Sequence, residues 1–246
     1  MSTATSSITT AMLFAAGLGS RLKPWTDHHP KALAIVNSKS LLQRNIEYLQ
    51  QYGIYNVVVN VHHFAAQIIE AIAANNGWGS TVQVSDESDE VLETGGGLMK
   101  AAPLLQTQSN IVVMNADMLT NLNLGALMAA HLKQQSLATL AVTERQTSRY
   151  FLFNPQQQLC GWRNVNTGEE KIMRKETELV QKAFSGIQVI NTQLFSLVQQ
   201  QGKFSMVDVY LSLCQQHNIT AFDHTGSVLV DVGKPESVAK AEGLFK

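Results

Sequence analysis

From residue 11 onward the sequence alternates short apolar runs with segments whose apolar residues recur at helical spacing. That rhythm has few solutions other than a sheet with helices laid over it. Residues 11–16, 56–61, 111–117 and 137–142 are nearly continuous apolar runs, as strands buried on both faces of a parallel sheet require. Between them, Leu41, Leu42, Ile46 and Leu49 mark one helical face that Gly53 closes. Residues 64–77 read as a second helix ending at an Asn-Asn-Gly breaker, and 81–84 as a short strand. Residues 95–102 predict a helix led by glycines and stopped by Pro103, and 122–135 another. After Thr143 the chain turns polar and broken, so 144–183 predict hairpins and loops inserted as a lobe. Strand 184–190, helices 192–200 and 206–215, strands 219–222 and 228–232 and helix 236–244 complete the pattern. The expected architecture is α/β: a doubly wound, mostly parallel (mixed) sheet with helices on both faces and a small β-rich lobe. In such sheets ligands bind at the carboxyl ends of the strands.

A chain of 246 residues with 45% apolar content can bury a core without staples. Lys and Arg number 18 against 19 for Asp and Glu, a balance unlike that of a general nucleic-acid binder. The apolar runs fall well short of the ~18 residues that cross a bilayer. Cys160 and Cys214 fit no CxxC or metal spacing and read as reduced thiols of a cytoplasmic protein. Residues 1–9 form a polar tail with neither the basic nor the apolar part of a secretion signal. We therefore expect one domain over 1–246, with no nucleic-acid or membrane partner. Its oligomeric state is left open, a monomer included.

The segment after the first strand carries the most chemistry. Gly17 and Gly19 let a backbone approach a ligand closely and offer N–H groups to phosphate oxygens. It is not a dinucleotide fingerprint: Leu22 stands where a third small residue is needed, and no acid follows about 20 residues on. Nor is it a Walker loop, because GxxxxGK[ST] is missing. What marks it is cationic content. Arg21 can grip phosphate oxygens in pairs, Lys31 can act as a point charge, and Pro24 and Pro30 stiffen the path between them. Asp117 and Asp231 each end an apolar strand. Two such acids on one edge of a parallel sheet suit Mg²⁺, which one or two carboxylates and substrate phosphates commonly hold. The acids Asp86, Glu87, Asp89 and Glu90 read as a solvated run, and Asp208 as a helix cap or a solvated surface residue.

Gly17-x-Gly19-x-Arg21 followed by Pro30-Lys31 resembles the signature of the sugar-1-phosphate nucleotidylyltransferases, and Asp231-Val232-Gly233 resembles their second acidic motif. Glu93-Thr94-Gly95-Gly96-Gly97 and Phe184-Ser185-Gly186-Ile187 are similar to segments of the N-acetylmuramate-1-phosphate uridylyltransferases. The resemblance runs from residue 11 to the last helix and implies the nucleotide-diphospho-sugar transferase type of fold. It implies an enzyme that joins a nucleoside triphosphate, UTP favoured, to a sugar 1-phosphate, N-acetylmuramic acid 1-phosphate favoured. Arg21 and Lys31 are then catalytic, and Asp117 and Asp231 hold Mg²⁺. Ala15, Gly17, Gly19, Ser20, Asn60, Gly95, Gly96 and Asn115 bind the nucleotide, the glycine amides reading the base. Glu93, Ser185 and Gly186 face the sugar. His62 and His63, beside Asn60, are candidates for the base side. Trp162 and Arg163 are candidates for stacking on a sugar or for hairpin contacts.

The chain departs from the pattern at Ser20, where relatives carry Thr or Glu, and in a longer, more polar lobe, which bears on sugar identity. No β-helix follows Asp231, so a second, acetyltransferase activity is not expected. The alternative substrates are GTP and mannose 1-phosphate. A non-catalytic nucleotide-sugar sensor is disfavoured because Arg21, Lys31, Asp117 and Asp231 are all present. A nicotinamide oxidoreductase is disfavoured by the missing fingerprint.

Overall fold

A computed structural model describes residues 8–246. The polar tail expected over 1–9 therefore lies, as far as residue 7, outside the described residues. Ile8 is already buried, so the fold has begun by that point.

Strand β1 (Thr10–Phe14) leads through a long loop to the ribbon β2 (Ile35–Val36) and β3 (Lys39–Ser40). Helix α1 (Leu41–Gln50), strand β4 (Asn56–Val61), helix α2 (Ala65–Ala74), strand β5 (Thr81–Asp86), helix α3 (Glu93–Leu105) and strand β6 (Asn110–Asn115) follow. Next come β7 (Met118–Thr120), α4 (Leu124–Gln134), β8 (Ala138–Thr143), β9 (Arg149–Phe153), β10 (Leu159–Asn164), β11 (Glu170–Ile172) and β12 (Val180–Asn191). The chain closes with α5 (Leu194–Leu197), α6 (Met206–Leu213), β13 (Ile219–Asp223), β14 (Leu229–Asp231) and α7 (Pro235–Leu244).

Strands β5, β4, β1 and β6 lie side by side and parallel. The long β12 runs antiparallel to β6 and also pairs with β8 and β9, while β13 lies parallel to β8. The sheet is thus mixed, with its parallel part where the glycine turn leaves. The lobe expected over 144–183 is β9, β10, β11 and the start of β12, and it extends this same sheet.

Both faces of the sheet are covered, as the apolar runs require. Side chains alternate along a strand. Met12 and Val58 therefore join Leu98 of α3 and Val209 of α6 on one face. Leu13 and Val59 join Ile46 of α1, Ile68 of α2 and Leu127 of α4 on the other. A third cluster seats α7 on Val230, Val36 and Leu41. Among the described residues no helix is long and apolar enough to cross a membrane. Cys160 and Cys214 are buried and free.

Three expectations change. Pro103 does not stop α3, which continues to Leu105. Its ring is exposed and removes only one late N–H, while Leu105 beyond it is fully buried. The helix expected over 192–200 shrinks to four residues, because Leu194 and Phe195 are buried and the glutamines beyond offer nothing to bury. Asp231 does not end a strand of the main sheet. It ends β14, which pairs antiparallel with β7 in a separate two-stranded ribbon, and Asp117 lies in the turn between β6 and β7.

Candidate active site

At the carboxyl end of β1 the chain leaves the sheet. The Ala15 N–H is captured by Asn60 Oδ1 at 2.8 Å, so a residue near the end of β4 orients the turn that leaves β1. Gly17 has open space where a side chain would stand. Gly19 takes φ +63°, which favours glycine, and its carbonyl accepts Thr26 Oγ1 at 2.9 Å. A 3₁₀ turn over Ser20–Leu22 then buries Leu22 and leaves Arg21 outside. After Pro30 a third 3₁₀ turn, Lys31–Leu33, brings Lys31 back under the loop, with 11% of its side chain exposed.

Lys31 Nζ donates to Asp117 Oδ2 and lies 3.8 Å from Asp231 Oδ1. Arg21 Nη2 is 3.4 Å from Asp231 Oδ2. The β7–β14 ribbon sets the two acids side by side, for Val232 N–H donates to the Asp117 carbonyl at 2.9 Å. Two cations and two carboxylates thus meet from four places in the chain. Asp117 Oδ1 is buried and has no hydrogen-bond partner. A buried carboxylate oxygen without a partner is costly. Hard oxygen donors of this kind, one of them unspent, fit a divalent cation such as Mg²⁺.

Beside this cluster opens a cavity of about 250 Å³. It is lined by Ala15 to Leu18, Lys31, Asn60, Glu87, Val91, Glu93, Thr94 and Asn115 to Asp117. Of the expected nucleotide residues, Ala15, Gly17, Asn60 and Asn115 line it, as does Glu93 from the sugar set. Gly19 and Ser20 shape the turn from outside the wall.

The glycine amides of α3 do something else. The N–H groups of Gly95 and Gly96 both point at the Phe204 carbonyl, at 2.9 and 3.3 Å, so they are not free to read a base. A Cβ on Gly95 would lie 2.4 Å from the Phe204 ring. These glycines let the 202–204 segment close on the helix start. Ser185 and Gly186 also lie off the cavity wall. Ser185 is fully buried and hydrogen-bonded to His224 Nε2 at 2.7 Å. Gly186 sits in an irregularity of β12, so close to Asn115 that a Cβ would be 2.8 Å from its amide nitrogen.

Glu87, expected in a solvated run, is buried instead, 1% exposed. Its Oε1 accepts Asn60 Nδ2 at 2.7 Å. Burial pushes its carboxyl above the ordinary range, against the opposing pull of Asn60, Lys100 and His62. Its signal in the sequence was position alone: it is the first residue past β5, at the edge where ligands bind. His62 Nδ1 meets the Glu87 carbonyl at 2.6 Å, and His63 packs on Phe64. Trp162 and Arg163 make hairpin contacts, with Lys171 over the indole and Glu170 at 2.8 Å from the guanidinium.

A sheet that opens at its carboxyl edge onto a glycine turn, a sequestered lysine and paired aspartates is built for phosphate groups. The chain belongs to the nucleotidyl transferase family, whose sequence profile matches residues 10–244, and it is a nucleotidyltransferase. It is 29% identical to the N-acetylmuramate alpha-1-phosphate uridylyltransferase of Neisseria meningitidis serogroup B, over 95% of this chain and 97% of that one. It is 25% identical to the D-glycero-alpha-D-manno-heptose 1-phosphate guanylyltransferase of Aneurinibacillus thermoaerophilus, over 94% and 96% of the two chains. The fold matches the crystal structure of HddC from Yersinia pseudotuberculosis complexed with GMP-PN. The TM-score is 0.77 at 22% identity, covering 97% of this chain and all of that one.

Proposed function

We propose that the chain joins UTP to N-acetylmuramic acid 1-phosphate in the presence of Mg²⁺, giving the nucleotide sugar and pyrophosphate. The observation that carries the reaction type is the Lys31–Asp117–Asp231 cluster with its unpartnered Asp117 oxygen beside the cavity. The choice of substrates rests on the full-length similarity to the Neisseria enzyme and on the Glu93–Gly97 and Phe184–Ile187 segments.

A phosphate oxygen of the sugar 1-phosphate forms a bond to the α-phosphorus of the triphosphate. The bond from that phosphorus to the bridging oxygen breaks, and pyrophosphate leaves with the electron pair. The attacking oxygen is already ionised at neutral pH, so no protein base is required. The protein's work is positioning and charge compensation. Gly17 and the turn closed by Gly19 receive the triphosphate, with Asn115 and the Asn60-held Ala15 shaping the wall around it. Arg21, exposed at the rim, grips the departing pyrophosphate. Lys31, shielded from water, stabilises charge on the α-phosphoryl group. Asp117 and Asp231 would hold Mg²⁺, which would supply positive charge to the phosphates.

The free, buried Cys160 and Cys214 support a cytoplasmic setting, and the product would serve peptidoglycan recycling. The similarity to the heptose enzyme favours a second reading, guanylyl transfer from GTP to a manno-configured sugar 1-phosphate.

The test is a matrix of each nucleoside triphosphate against muramic, glucosamine, glucose, mannose and heptose 1-phosphates, with Mg²⁺ and pyrophosphatase, following phosphate release. Turnover confined to UTP with N-acetylmuramic acid 1-phosphate is expected. Turnover with GTP and a manno-configured sugar keeps the chemistry and replaces the substrates. Triphosphate binding with no turnover in any well overturns both substrate assignments and leaves a sensor or a sugar 1-phosphate outside this set.

A further inference from the structure

Glu93 is the residue on the cavity wall whose backbone is out of place for its type. It begins α3 with φ +58°, a left-handed conformation that disfavours every side chain with a Cβ. The strain does not relax because its neighbours are clamped. Phe204 N–H donates to the Leu92 carbonyl at 3.2 Å, and the Phe204 carbonyl accepts Gly95 and Gly96. Met206 N–H donates to Thr94 Oγ1 at 3.0 Å. Four hydrogen bonds from 204–206 thus fix residues 92–96, and the conformation of Glu93 is over-determined from both sides. Three glycines stand two to four positions further on, yet the position that glycine would suit holds a glutamate.

The fold gives that glutamate little in return. Its partner in the free protein is Lys203, 3.7 Å away, with both side chains about half exposed. An exposed pair of that length contributes little to stability. Strained residues of this kind concentrate at ligand-contacting positions, where the surrounding structure enforces them. Glu93 lines the same cavity as Gly17 and Leu18 of the glycine turn.

We propose that Glu93 is a specificity-determining residue held in a strained backbone at the expense of stability. Its carboxylate accepts hydrogen bonds from the hydroxyls of a ring bound at the cavity mouth, and Lys203 is its counter-ion in the free protein. A carboxylate suits paired hydroxyls because it offers two acceptor oxygens and no donor. The ribose of the triphosphate carries such a pair in its 2′- and 3′-hydroxyls, and the sugar of the 1-phosphate offers its 4- and 6-hydroxyls. The inference rests on the nucleotidyl-transfer reading given above.

The experiment compares wild type with Glu93→Gly and Glu93→Gln. Thermal unfolding of the free proteins is measured first, then calorimetric binding of UTP, 2′-deoxy-UTP and the sugar 1-phosphate, then kcat/KM. Glu93→Gly should raise Tm by about 2–4 °C, the size of shift that relief of one such residue produces in a chain this long. It should also lower kcat/KM at least tenfold, and Glu93→Gln should lower it without raising Tm. If the ribose is the partner, wild type prefers UTP to its 2′-deoxy form and both variants lose that preference. If the sugar is the partner, UTP affinity is unchanged and sugar 1-phosphate affinity falls. Ligand affinities and kcat/KM within twofold of wild type in both variants overturn the proposal. A fall in Tm on Glu93→Gly overturns it too, since Glu93 would then serve the fold. Wild type that binds no triphosphate refutes the proposed function itself. Wild type that binds, with variants indistinguishable from it, refutes only this inference.

Discussion

Asn60 Nδ2 donates to Glu87 Oε1 at 2.7 Å while Asn60 Oδ1 accepts the Ala15 N–H at 2.8 Å, so one buried amide couples a carboxylate to the start of the glycine turn. Glu87 also accepts from the Leu92 backbone, which ties in the segment leading to Glu93. Removing the carboxylate leaves buried donors unpaired, a loss of roughly 2–3 kcal/mol. Glu87→Ala should therefore lower the urea midpoint at unchanged m-value. Glu87→Gln keeps the shape and one acceptor oxygen but turns its amide hydrogens toward another donor. We expect it to fall between wild type and Ala in stability, with a raised KM for the triphosphate. Equal stability of all three proteins would show that the pair does not hold the turn.

The charged cluster gives a second prediction. Lys31 is the shielded member, and Asp117 the one with an unpartnered oxygen. Loss of one positioned charge of this kind lowers rate by about 10²–10³. Lys31→Ala and Asp117→Asn should each reach that level with Tm within a few degrees of wild type. Chelation of divalent ions should stop wild-type turnover, and added Mg²⁺ should restore it. Near-normal kcat in either variant would remove these residues from the chemistry.

Gly233 tests the outer half of the cluster. A Cβ there would lie 2.7 Å from Arg21 Nη2 and 2.6 Å from Asp231 Oδ1. Both side chains are substantially exposed and can swing away, so the fold tolerates the methyl. Gly233→Ala should thus reduce kcat at least tenfold with a Tm change under about 2 °C. A large loss of stability with full activity would mean that this glycine serves the backbone and not the pair.

These residues differ in how far the sequence exposed them. Lys31 and Arg21 stand at fixed spacing from Gly17 and Gly19, and short-range spacing is visible in a chain. The buried strands announced themselves through Val57 to Val59 and Ile111 to Val113, whose apolar runs need both faces covered. Glu87 gave no such signal, because what buries it is Asn60, 27 residues earlier. The amide contacts of the α3 glycines are hidden for the same reason. Their partner is a backbone carbonyl on Phe204, more than a hundred residues away, and a carbonyl carries no residue type to recognise. Asp231 lies beside Asp117 by a route the chain does not display. It arrives there through the β7–β14 ribbon, a pairing of three-residue strands too short to leave a pattern.

His131 supplies a prediction about pH. Its Nε2 faces Asn110 Oδ1 at 3.0 Å, an oxygen that also takes Asn191 Nδ2, so Nε2 carries the proton. Nδ1 then accepts from Thr139 Oγ1 at 2.9 Å. The neutral ring is fully satisfied, and burial lowers its pKa from 6.5 to about 4. Protonation therefore favours the unfolded chain. The stabilisation from this site is complete above pH 6.5, where the ring is neutral in both states. It is lost as pH falls from about 6.5 toward 4, where the unfolded chain binds the extra proton. The slope can reach about 1.4 kcal/mol per pH unit. Urea unfolding at pH 7.5, 6.5, 5.5 and 4.5 should show this decline in wild type. His131→Gln can keep a donor toward Asn110 and an acceptor toward Thr139 but does not titrate, so its decline over the same range should be shallower. Carboxylates that titrate at the acid end affect both proteins alike, and the difference between the two curves isolates the imidazole. Parallel curves would mean that His131 accepts its proton in the folded protein.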